Sequence, residues 1–445
     1  MINYMLYKFL IIIYIFLKIL KYYSNYLELN KAYIKYQREL NLTFHNKIQK
    51  KIRIGIYTFC MKNGGRARIT SILINLLYKI KIFNIYLFTY KDKEDNEYNC
   101  PKDIKRLKIK NNNIIKIFKN EIDILIMQIN NFKKIKFLNN NKKIKIIYYL
   151  HNSIFQIIYS NYTYINIYKE YIKFKYIISL IPFENDFLFK KWGINSFLMD
   201  NFMTYNYNFT FPSVLSSKII LMIGRGNDKN KRFEKGIRSM EFIIQHIEGC
   251  ELKIISKLFG INKLINLIDN LNLGNKIKIE SFIDNIELFF KNASLHFFPS
   301  ITESFGLVLS ETKIYGIPNI LLGLDYISIA QNGTIIIYDD TPESLAKEAI
   351  KILLNNTLRE NLGKESRKNM IKYKNDLLIL KWIKIFMYIY NDDPYFQLKQ
   401  KKTIKMTEKC GLFILNKQIQ LLKMRDNIFK NITFNNFLNF NFFKD

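Results

Sequence analysis

The sequence predicts an α/β fold with two Rossmann-like domains that face each other across a cleft. Two successive series of short apolar strands alternate with amphipathic helices, and the strands are apolar on both faces, as parallel strands buried between helices are. A length of 445 residues exceeds what one compact core of ordinary size holds. Because 49% of the residues are hydrophobic, we expect a folded protein with substantial cores.

The first series begins at Lys51. KIRIGIYTF is predicted as a buried strand, NGGRAR as a glycine turn, and ITSILINLLYKI as a helix whose apolar residues recur every three or four positions. Further predicted strands are NIYLFTY, EIDILIMQI, KIIYYL and KFKYIISLIP. This half is expected to form the first parallel sheet.

The second series begins near Lys218 with the strand KIILMIGR, the helix FEKGIRSMEFIIQHI, the strand ELKIIS and the helix INKLINLIDNL. KIKIES and LHFFPS follow, and then a helix from Phe305 to Tyr315. We therefore predict an N-terminal hydrophobic segment and linker (1–50), a first Rossmann-like domain (51–212), a second Rossmann-like domain (213–375), and a crossover helix with a basic tail (376–445). The crossover helix is expected from Asp376 to Tyr390.

Residues Tyr4 to Leu20 read YMLYKFLIIIYIFLKIL, with an unbroken apolar run between Lys8 and Lys18. The run alone is too short to cross a bilayer of roughly 30 Å, but snorkelling lysines let the longer stretch do so. We expect a membrane anchor or interfacial helix here, with an N-terminal core helix as the alternative. Lysines on both sides leave the orientation open.

The net charge of +32 is compatible with a nucleic-acid or anionic-membrane partner. However, the lysines are scattered along the chain and form no single stripe, and biased genome composition also yields a chain rich in Lys, Ile and Asn. No nucleic-acid partner is therefore predicted. The four cysteines and four histidines are too dispersed for a metal site or a disulfide framework, which favours a reducing compartment.

The stretch FFPSITESFGLVLSETKIYGIP, from Phe297 to Pro318, carries the strongest functional signal. A strand ends at Ser300, a short loop carries Glu303, and a helix opens at Phe305, Gly306 and Leu307. A helix start with free amide groups suits a diphosphate, and a glycine lets phosphates approach the backbone. Glu303 and Glu311 lie eight residues apart, about two helical turns, on one face at different depths.

This stretch resembles the signature of the retaining glycosyltransferases of family 4, in which seven residues separate two glutamates in a Pro-Ser-x-x-Glu-x-Phe-Gly context. The resemblance implies the GT-B fold, with residues 51–212 as the acceptor domain and residues 213–375 as the nucleotide-sugar donor domain. It also implies that Glu303 contacts hexose hydroxyls of the donor and that Glu311 contacts its ribose hydroxyls.

LMIGRGNDKNKRFEKGI supports the resemblance, because family members hold the donor diphosphate with an arginine and a lysine spaced like Arg225 and Lys231. A glycine commonly follows the family's lysine, whereas Arg232 does so here. Lys229, Arg232 and Lys235 are therefore rival phosphate ligands, and a basic surface loop is the alternative interpretation.

Gly64 and Gly65 match the family's glycine pair near the cleft. Arg66 and Arg68 follow them and are expected either to face phosphate or acceptor, or to be structural. His151 follows the strand KIIYYL, at the strand end where open α/β sheets bind ligands. Family members carry a histidine in this loop that contacts the donor sugar, and the same role is assigned to His151. His296, inside LHFFPS, is predicted to belong to the core.

The resemblance implies transfer of a hexose from a UDP- or GDP-sugar to an acceptor hydroxyl, with retention of configuration and without a metal ion or cofactor. His151, Glu303, Arg225 and Lys231 would be catalytic, and the two glycines, the helix start and Glu311 would bind the donor. The acceptor is a glycan, a lipid-linked molecule or a protein, and the catalytic domains are expected at the cytoplasmic face of a membrane or, alternatively, in the cytoplasm. Alternative functions are a sugar-nucleotide epimerase, a phosphorylase, or a non-catalytic protein that binds nucleotide or membrane.

Overall fold

A computed structural model describes residues 51–392 of the chain, except 63, 81, 110–120, 129–143, 154–168, 259 and 282–285. The predicted N-terminal anchor and the basic tail beyond Asp392 lie outside the described residues, as does Cys410. Cys60, Cys100 and Cys250 are free thiols.

The first half forms a seven-stranded sheet in the order β3-β2-β1-β4-β5-β6-β7. Its strands are β1 (Ile52–Thr58), β2 (Phe83–Thr89), β3 (Lys105–Lys108), β4 (Ile124–Met127), β5 (Lys145–Tyr149), β6 (Tyr176–Ser179) and β7 (Asn195–Leu198). The central strands pair in parallel, and β4 and β6 are buried throughout. Such two-sided burial is what the continuous apolar runs of the sequence predict.

Two helices of this half are described, α1 (Gly65–Tyr78) and α2 (Pro182–Trp192). α1 begins at the predicted glycine turn and buries Ile69, Leu73 and Leu77, which recur every four residues on one face of the helix. α2 has its proline in the first turn, where no amide hydrogen is needed, and ends at Gly193 in the left-handed conformation.

The second half forms a six-stranded sheet in the order β10-β9-β8-β11-β12-β13. Its strands are β8 (Ile219–Ile223), β9 (Glu251–Ile255), β10 (Ile277–Glu280), β11 (Leu295–Phe298), β12 (Asn319–Leu322) and β13 (Thr334–Ile337). The pairs are parallel, and the order is that of a Rossmann domain. The predicted fold class, two parallel-sheet α/β domains, is confirmed.

The helices of this half are α3 (Phe233–Ile243), α4 (Asn262–Asn270), α5 (Glu287–Lys291), α6 (Leu307–Ile314), α7 (Pro342–Leu354) and α8 (Asn356–Asn369). α3 approaches the sheet closely at Gly236, where an added Cβ would lie 2.3 Å from the sulfur of Met222 on β8. The main core packs α3, α4 and α7 against the strands, with Ile220, Met240 and Ile352 fully buried.

The last described helix, α9 (Asn375–Asn391), agrees with the predicted crossover helix. It follows the second sheet in the chain but packs on the first: the Trp382 ring meets Tyr149 of β5 edge-on at 5.2 Å. At its start, the Asn375 side chain accepts from the Met203 amide at 2.8 Å and donates to the Met203 carbonyl at 3.0 Å. At its end, Asp392 pairs with Lys145. The exact domain boundaries remain a prediction.

Within the described ranges, no helix has the length and apolar character needed to cross a membrane.

Candidate active site

The predicted phosphate-binding segments of the second half meet at the carboxyl edge of its sheet. β8 and β11 are neighbours there, and the strand order reverses between them: the strands that follow β8 lie toward one edge of the sheet, and those that follow β11 lie toward the other edge. β8 runs directly into Gly224 and Arg225, and β11 runs into the loop that carries Glu303. Open α/β sheets bind ligands in the crevice outside such a reversal point.

Asn230 joins the segments that follow these two strands. Its side-chain nitrogen donates to the Thr302 carbonyl at 2.9 Å, and its side-chain oxygen accepts from the Thr302 amide at 3.0 Å. Its own carbonyl accepts from the Ile301 amide at 2.9 Å. Asp228 caps the short 3₁₀ turn Lys229–Lys231 through the Asn230 amide, at 3.1 Å. The two loops are thereby fixed to each other.

This arrangement brings Lys231 and Glu303 together. The Lys231 ammonium lies 2.6 Å from a carboxylate oxygen of Glu303, and the two side chains are 18% and 15% exposed. The ammonium also lies 5.3 Å from the centre of the Phe298 ring. The Glu303 amide donates to the Tyr326 hydroxyl at 3.0 Å, which fixes the loop from its other side. A cation and a carboxylate thus stand side by side at the crevice.

Arg225 lies in the same loop but points outward. Its side chain is 70% exposed, and its guanidinium donates to Asp228 at 2.7 Å. The predicted role of Arg225 on the diphosphate remains a prediction, and it would require the side chain to turn from Asp228 toward a ligand.

Arg232 and Lys235, two of the rival phosphate ligands, are engaged with Asp340. The Arg232 guanidinium donates to both carboxylate oxygens, at 2.7 and 2.6 Å, and the Lys235 ammonium lies 3.1 Å from the same carboxylate. Arg232 caps α3 with φ of 51°, in the left-handed region that favours glycine. The structure therefore explains why a glycine suits this position. Lys229, the third rival, is exposed.

The helix start predicted at Phe305, Gly306 and Leu307 is present. Gly306 has φ of +82° and precedes the first residue of α6, Leu307. Phe305 is buried, with its ring edge-on to Tyr373 at 5.9 Å. The first-turn amides of a helix have no carbonyl partner inside the helix, and the helix dipole favours an anion there.

Glu311 lies deeper, one turn into α6, and is 3% exposed. Its carboxylate pairs with the Arg68 guanidinium from α1, which also donates to the Tyr98 hydroxyl at 3.2 Å. Burial raises the pKa of Glu311, while Arg68 acts in the opposite direction. Burial lowers the pKa of Arg68, but Glu311 and Tyr98 together raise it above its ordinary value.

The glycine pair of the first half also reaches the start of α6. Gly64 has φ of +93°, a conformation that disfavours any side chain. A Cβ added at Gly65 would lie 2.5 Å from Cδ1 of Leu307, so these two residues are in close contact. Gly65 thus lies beside the start of α6, and the donor-binding role of the glycine pair remains a prediction.

His151 follows β5 and is joined to the Glu303 loop. Its backbone carbonyl accepts a hydrogen bond from the Ser304 hydroxyl at 2.6 Å, and its ring packs on Tyr149 at 4.1 Å between centres. Burial and the nearby Arg66 lower the pKa of His151 well below its ordinary value. A neutral imidazole is therefore present at pH 7, and its Nε2 makes no hydrogen bond within the described structure.

His296 is a core residue, as predicted. It is fully buried in β11, and its Nδ1 makes a 2.7 Å hydrogen bond to the Asn319 side-chain oxygen. Across the part of the chain that the structure describes, no cluster of three or more His, Cys, Asp or Glu side chains could hold a metal ion.

Comparison with known proteins adds an independent observation. Residues 207–369 match the family model described as Glycosyl transferases group 1. The chain carries a glycosyltransferase domain. This glycosyltransferase domain begins at the turn before β8 and ends with α8, and it contains the Lys231–Glu303 pair, the start of α6 and Glu311.

A segment of 183 residues is 24% identical to N-acetyl-alpha-D-glucosaminyl L-malate synthase of Bacillus anthracis. The match covers 40% of this chain and 47% of the synthase, so it spans about half the length of that relative.

Solved structures resemble a larger part of the chain. Sucrose-phosphate synthase from Thermosynechococcus elongatus superposes with a TM-score of 0.63 and 14% identity, over 77% of this chain and all of that one. Anabaena HepE in complex with UDP and glucose superposes with a TM-score of 0.60 and 14% identity, over 76% and 99% of the two chains. At this level of identity the comparison shows the fold alone, and it confirms the predicted GT-B fold.

Sequence reasoning missed the residues that position the site. Asn230, Tyr326 and Asp340 bind loops that are distant in the chain, and no local pattern marks them. The pairing of Arg68 with Glu311 joins residues 243 positions apart. Only Asp228, a favoured cap residue before the 3₁₀ turn, carries a recognisable signal.

Proposed function

We propose that this chain transfers a hexose from a nucleoside diphosphate sugar, such as a UDP- or GDP-sugar, to an acceptor hydroxyl. The observation that carries the proposal is the Lys231–Glu303 pair, held at the β8–β11 crevice beside the start of α6. A cation and a helix start suit a departing diphosphate, and a carboxylate suits sugar hydroxyls. The Anabaena neighbour, whose structure contains UDP and glucose, supports the same class of donor.

In the proposed reaction the bond between the anomeric carbon and the diphosphate oxygen breaks, and the oxygen keeps the electron pair. Lys231, Arg225 and the amides that open α6 stabilise the charge on the leaving diphosphate. The acceptor oxygen forms the new bond to the anomeric carbon, and its proton passes to the departing phosphate. Glu303 and His151 orient the hexose through its hydroxyls.

This sequence of events proceeds with retention of configuration, without a protein nucleophile, and without a metal ion, as in the family 4 enzymes that the motifs resemble. Glycoside hydrolases, in contrast, need two carboxylates placed across the bond. Here the described carboxylates, Glu303 and Glu311, are engaged with Lys231 and Arg68 as binding groups.

The test is a screen of UDP-, GDP- and ADP-sugars against the full-length protein, with thermal stabilisation and slow donor hydrolysis as readouts. A donor at 100 times its Kd should add about 2.7 kcal/mol of stability. The Lys231→Met variant should lower the rate of donor cleavage by about 10² to 10³, because a preorganised charge is lost. Lys229→Met is the matched control, since Lys229 is exposed two residues away.

Each alternative gives a distinct result. An epimerase would change the sugar without releasing nucleoside diphosphate. A non-catalytic binder would bind nucleotide without cleaving it. Equal losses in the Lys229 and Lys231 variants would show that the basic loop acts as a whole and would contradict the assigned role of Lys231.

We further propose that the acceptor is a glycan or a lipid-linked molecule, with a protein as the alternative, and that residues 4–20 attach the chain to the cytoplasmic face of a membrane. The apolar run between Lys8 and Lys18 supports this association. Flotation of the full-length protein with vesicles containing anionic lipid tests it, and recovery of all the protein in the vesicle-free fraction contradicts it.

A further inference from the structure

Arg68 connects the first half of the chain to the most deeply buried carboxylate of the glycosyltransferase domain. It lies in the first turn of α1, three residues after Gly65, and its guanidinium pairs with Glu311 in α6. The Glu311 side chain is 4% exposed, and that of Arg68 is 31% exposed. The ion pair therefore joins the two halves beside the Gly65–Leu307 contact.

The other described groups near the Glu311 carboxylate are uncharged: the Thr204 hydroxyl and two phenols. Tyr205 and Tyr315 lie near the carboxylate, and the Tyr315 hydroxyl donates to Glu287 at 2.7 Å. Burial raises the pKa of both phenols, so they are neutral throughout the neutral and mildly alkaline range. Arg68 is consequently the described cation that neutralises Glu311, because neutral phenols do not balance a buried charge.

An ionised carboxylate accepts hydrogen bonds at both oxygens, whereas protonation turns one oxygen into a donor and leaves fewer acceptor sites for a pair of sugar hydroxyls. One Glu311 oxygen, Oε1, accepts a hydrogen bond from the Arg68 guanidinium. A carboxylate has two oxygens and about four acceptor sites, so it can bind a guanidinium and a hydroxyl at the same time.

We propose that Arg68 is a positioning residue for the donor ribose, holding the Glu311 carboxylate charged and oriented so that it accepts hydrogen bonds from the ribose hydroxyls. This inference rests on the proposed function, in which Glu311 binds the ribose. Both halves of the chain then contribute to the ribose site. Helix α6 supplies the Glu311 carboxylate that accepts the hydrogen bonds, and α1, from the other half, supplies the positive charge that keeps this carboxylate ionised.

The test compares the affinity of UDP with that of 2′-deoxy-UDP, with GDP and 2′-deoxy-GDP measured in parallel, by titration calorimetry on the full-length protein. In the wild type the ribonucleotide should bind about tenfold more tightly, the effect of one hydrogen bond to a charged group. In Arg68→Gln this ratio should fall to about one at pH 7, because burial without a cation leaves Glu311 protonated.

At about pH 9 the ratio in Arg68→Gln should return toward the wild-type value, because Glu311 then ionises. The phosphates and the base are the same in both nucleotides, so their own pH dependence cancels from the ratio. Arg68→Lys should keep most of the ratio at pH 7, since it retains the positive charge. Arg238→Gln, which removes an exposed arginine on α3, is the matched control and should leave the ratio unchanged.

The outcomes separate the two proposals. If the wild type binds neither ribonucleotide, the proposed function fails. If it binds them and the ratio stays near tenfold in Arg68→Gln at pH 7, only the inference fails. A ratio that is lost in Arg68→Gln at both pH values, in a variant whose melting curve shows it folded, also overturns the inference, because Arg68 would then act through packing and not through charge.

Discussion

His296 illustrates how a residue near the site serves the fold instead of the chemistry. Burial lowers the pKa of His296 to about 4, with a smaller opposing effect of its hydrogen bond to Asn319 and a further lowering by Lys231. The unfolded chain therefore binds a proton on this histidine at a higher pH than the folded chain does. Its contribution to stability is present above about pH 6.5 and is lost as the pH falls toward 4.

We predict that acidification from about pH 7.5 to 4.5 destabilises the wild type by about 2 to 3 kcal/mol more than it destabilises His296→Asn. Urea denaturation of both proteins at the two pH values measures this difference. His246→Gln, which removes an exposed histidine after α3, is the control and should follow the wild type. Equal losses of stability on acidification in the wild type and in His296→Asn would contradict the assignment of this pH dependence to His296.

At the scale of single residues, the sequence predicts the kinds of group at the site but not their partners. The two glutamates, Lys231 and the glycine pair could be identified because they lie in local motifs next to strand ends. The pairs Arg68–Glu311 and Arg232–Asp340 could not, since they join residues 243 and 108 positions apart. Arg225, chosen from its spacing alone, proves to be exposed.

At the scale of elements, the start of α3 combines a conformational cost with an electrostatic gain. Arg232 occupies the left-handed region, which costs an ordinary residue roughly 1 to 2 kcal/mol, and one nitrogen of its buried guanidinium donates to both carboxylate oxygens of Asp340. A glycine relieves the backbone but cannot make the pair. We therefore expect the ion pair to offset the strain of this turn in the wild type.

We predict that Arg232→Gly is more stable than Arg232→Ala, by about 1 kcal/mol, and that both are less stable than the wild type. Both variants lose the pair, and only the alanine keeps the strain. The matched control is Lys347, exposed in the interior of α7, where alanine should exceed glycine by about 1 kcal/mol. Chemical denaturation of the four variants checks the two opposite orders. An alanine variant at Arg232 as stable as the glycine variant would show that the turn relaxes.

The predicted elements agree with the structure where apolar runs are long, and fail where they are short or polar. The strand KRLK, which forms β3 at the sheet edge, has an intermediate and exposed pattern that carries no signal of burial. β7 and β13, of four residues each, were also not predicted as separate strands. The helices α2, α7 and α8 are also not predicted. The sequence of α8, NTLRENLGKESRKN, is mostly polar and contributes few buried residues, among them Arg359 and Leu362.

At the scale of the whole molecule, α9 brings the chain from the second half back to the first. The segment after α8 leaves the second half, contacts Met203 through Asn375, and covers the first sheet with Trp382 and Tyr388. Local periodicity predicts such a helix but not its destination, because both sheets need apolar covers. The observed packing means that the first sheet is completed only when the last described helix has been added.

We predict that Trp382→Ala destabilises the protein by about 3 to 5 kcal/mol, because Trp382 is fully buried against Tyr149 and Phe386. The loss of protection from hydrogen exchange should differ between the two sheets. Since α9 packs on the first sheet, amide hydrogens of β5 should exchange much faster, whereas those of β8 should keep most of their protection. Hydrogen exchange measured by mass spectrometry on the two strands distinguishes these responses.

Tyr390→Ala is the matched control, because that aromatic ring lies on the same helix and is 39% exposed, so its removal should leave exchange at β5 nearly unchanged. The opposite result is equally informative. Equal loss of protection in β5 and β8 of Trp382→Ala would mean that the two sheets unfold as one cooperative unit. The contacts between the halves, Arg68 with Glu311 and Ser304 with His151, would then bind the sheets more strongly than α9 binds to the first sheet.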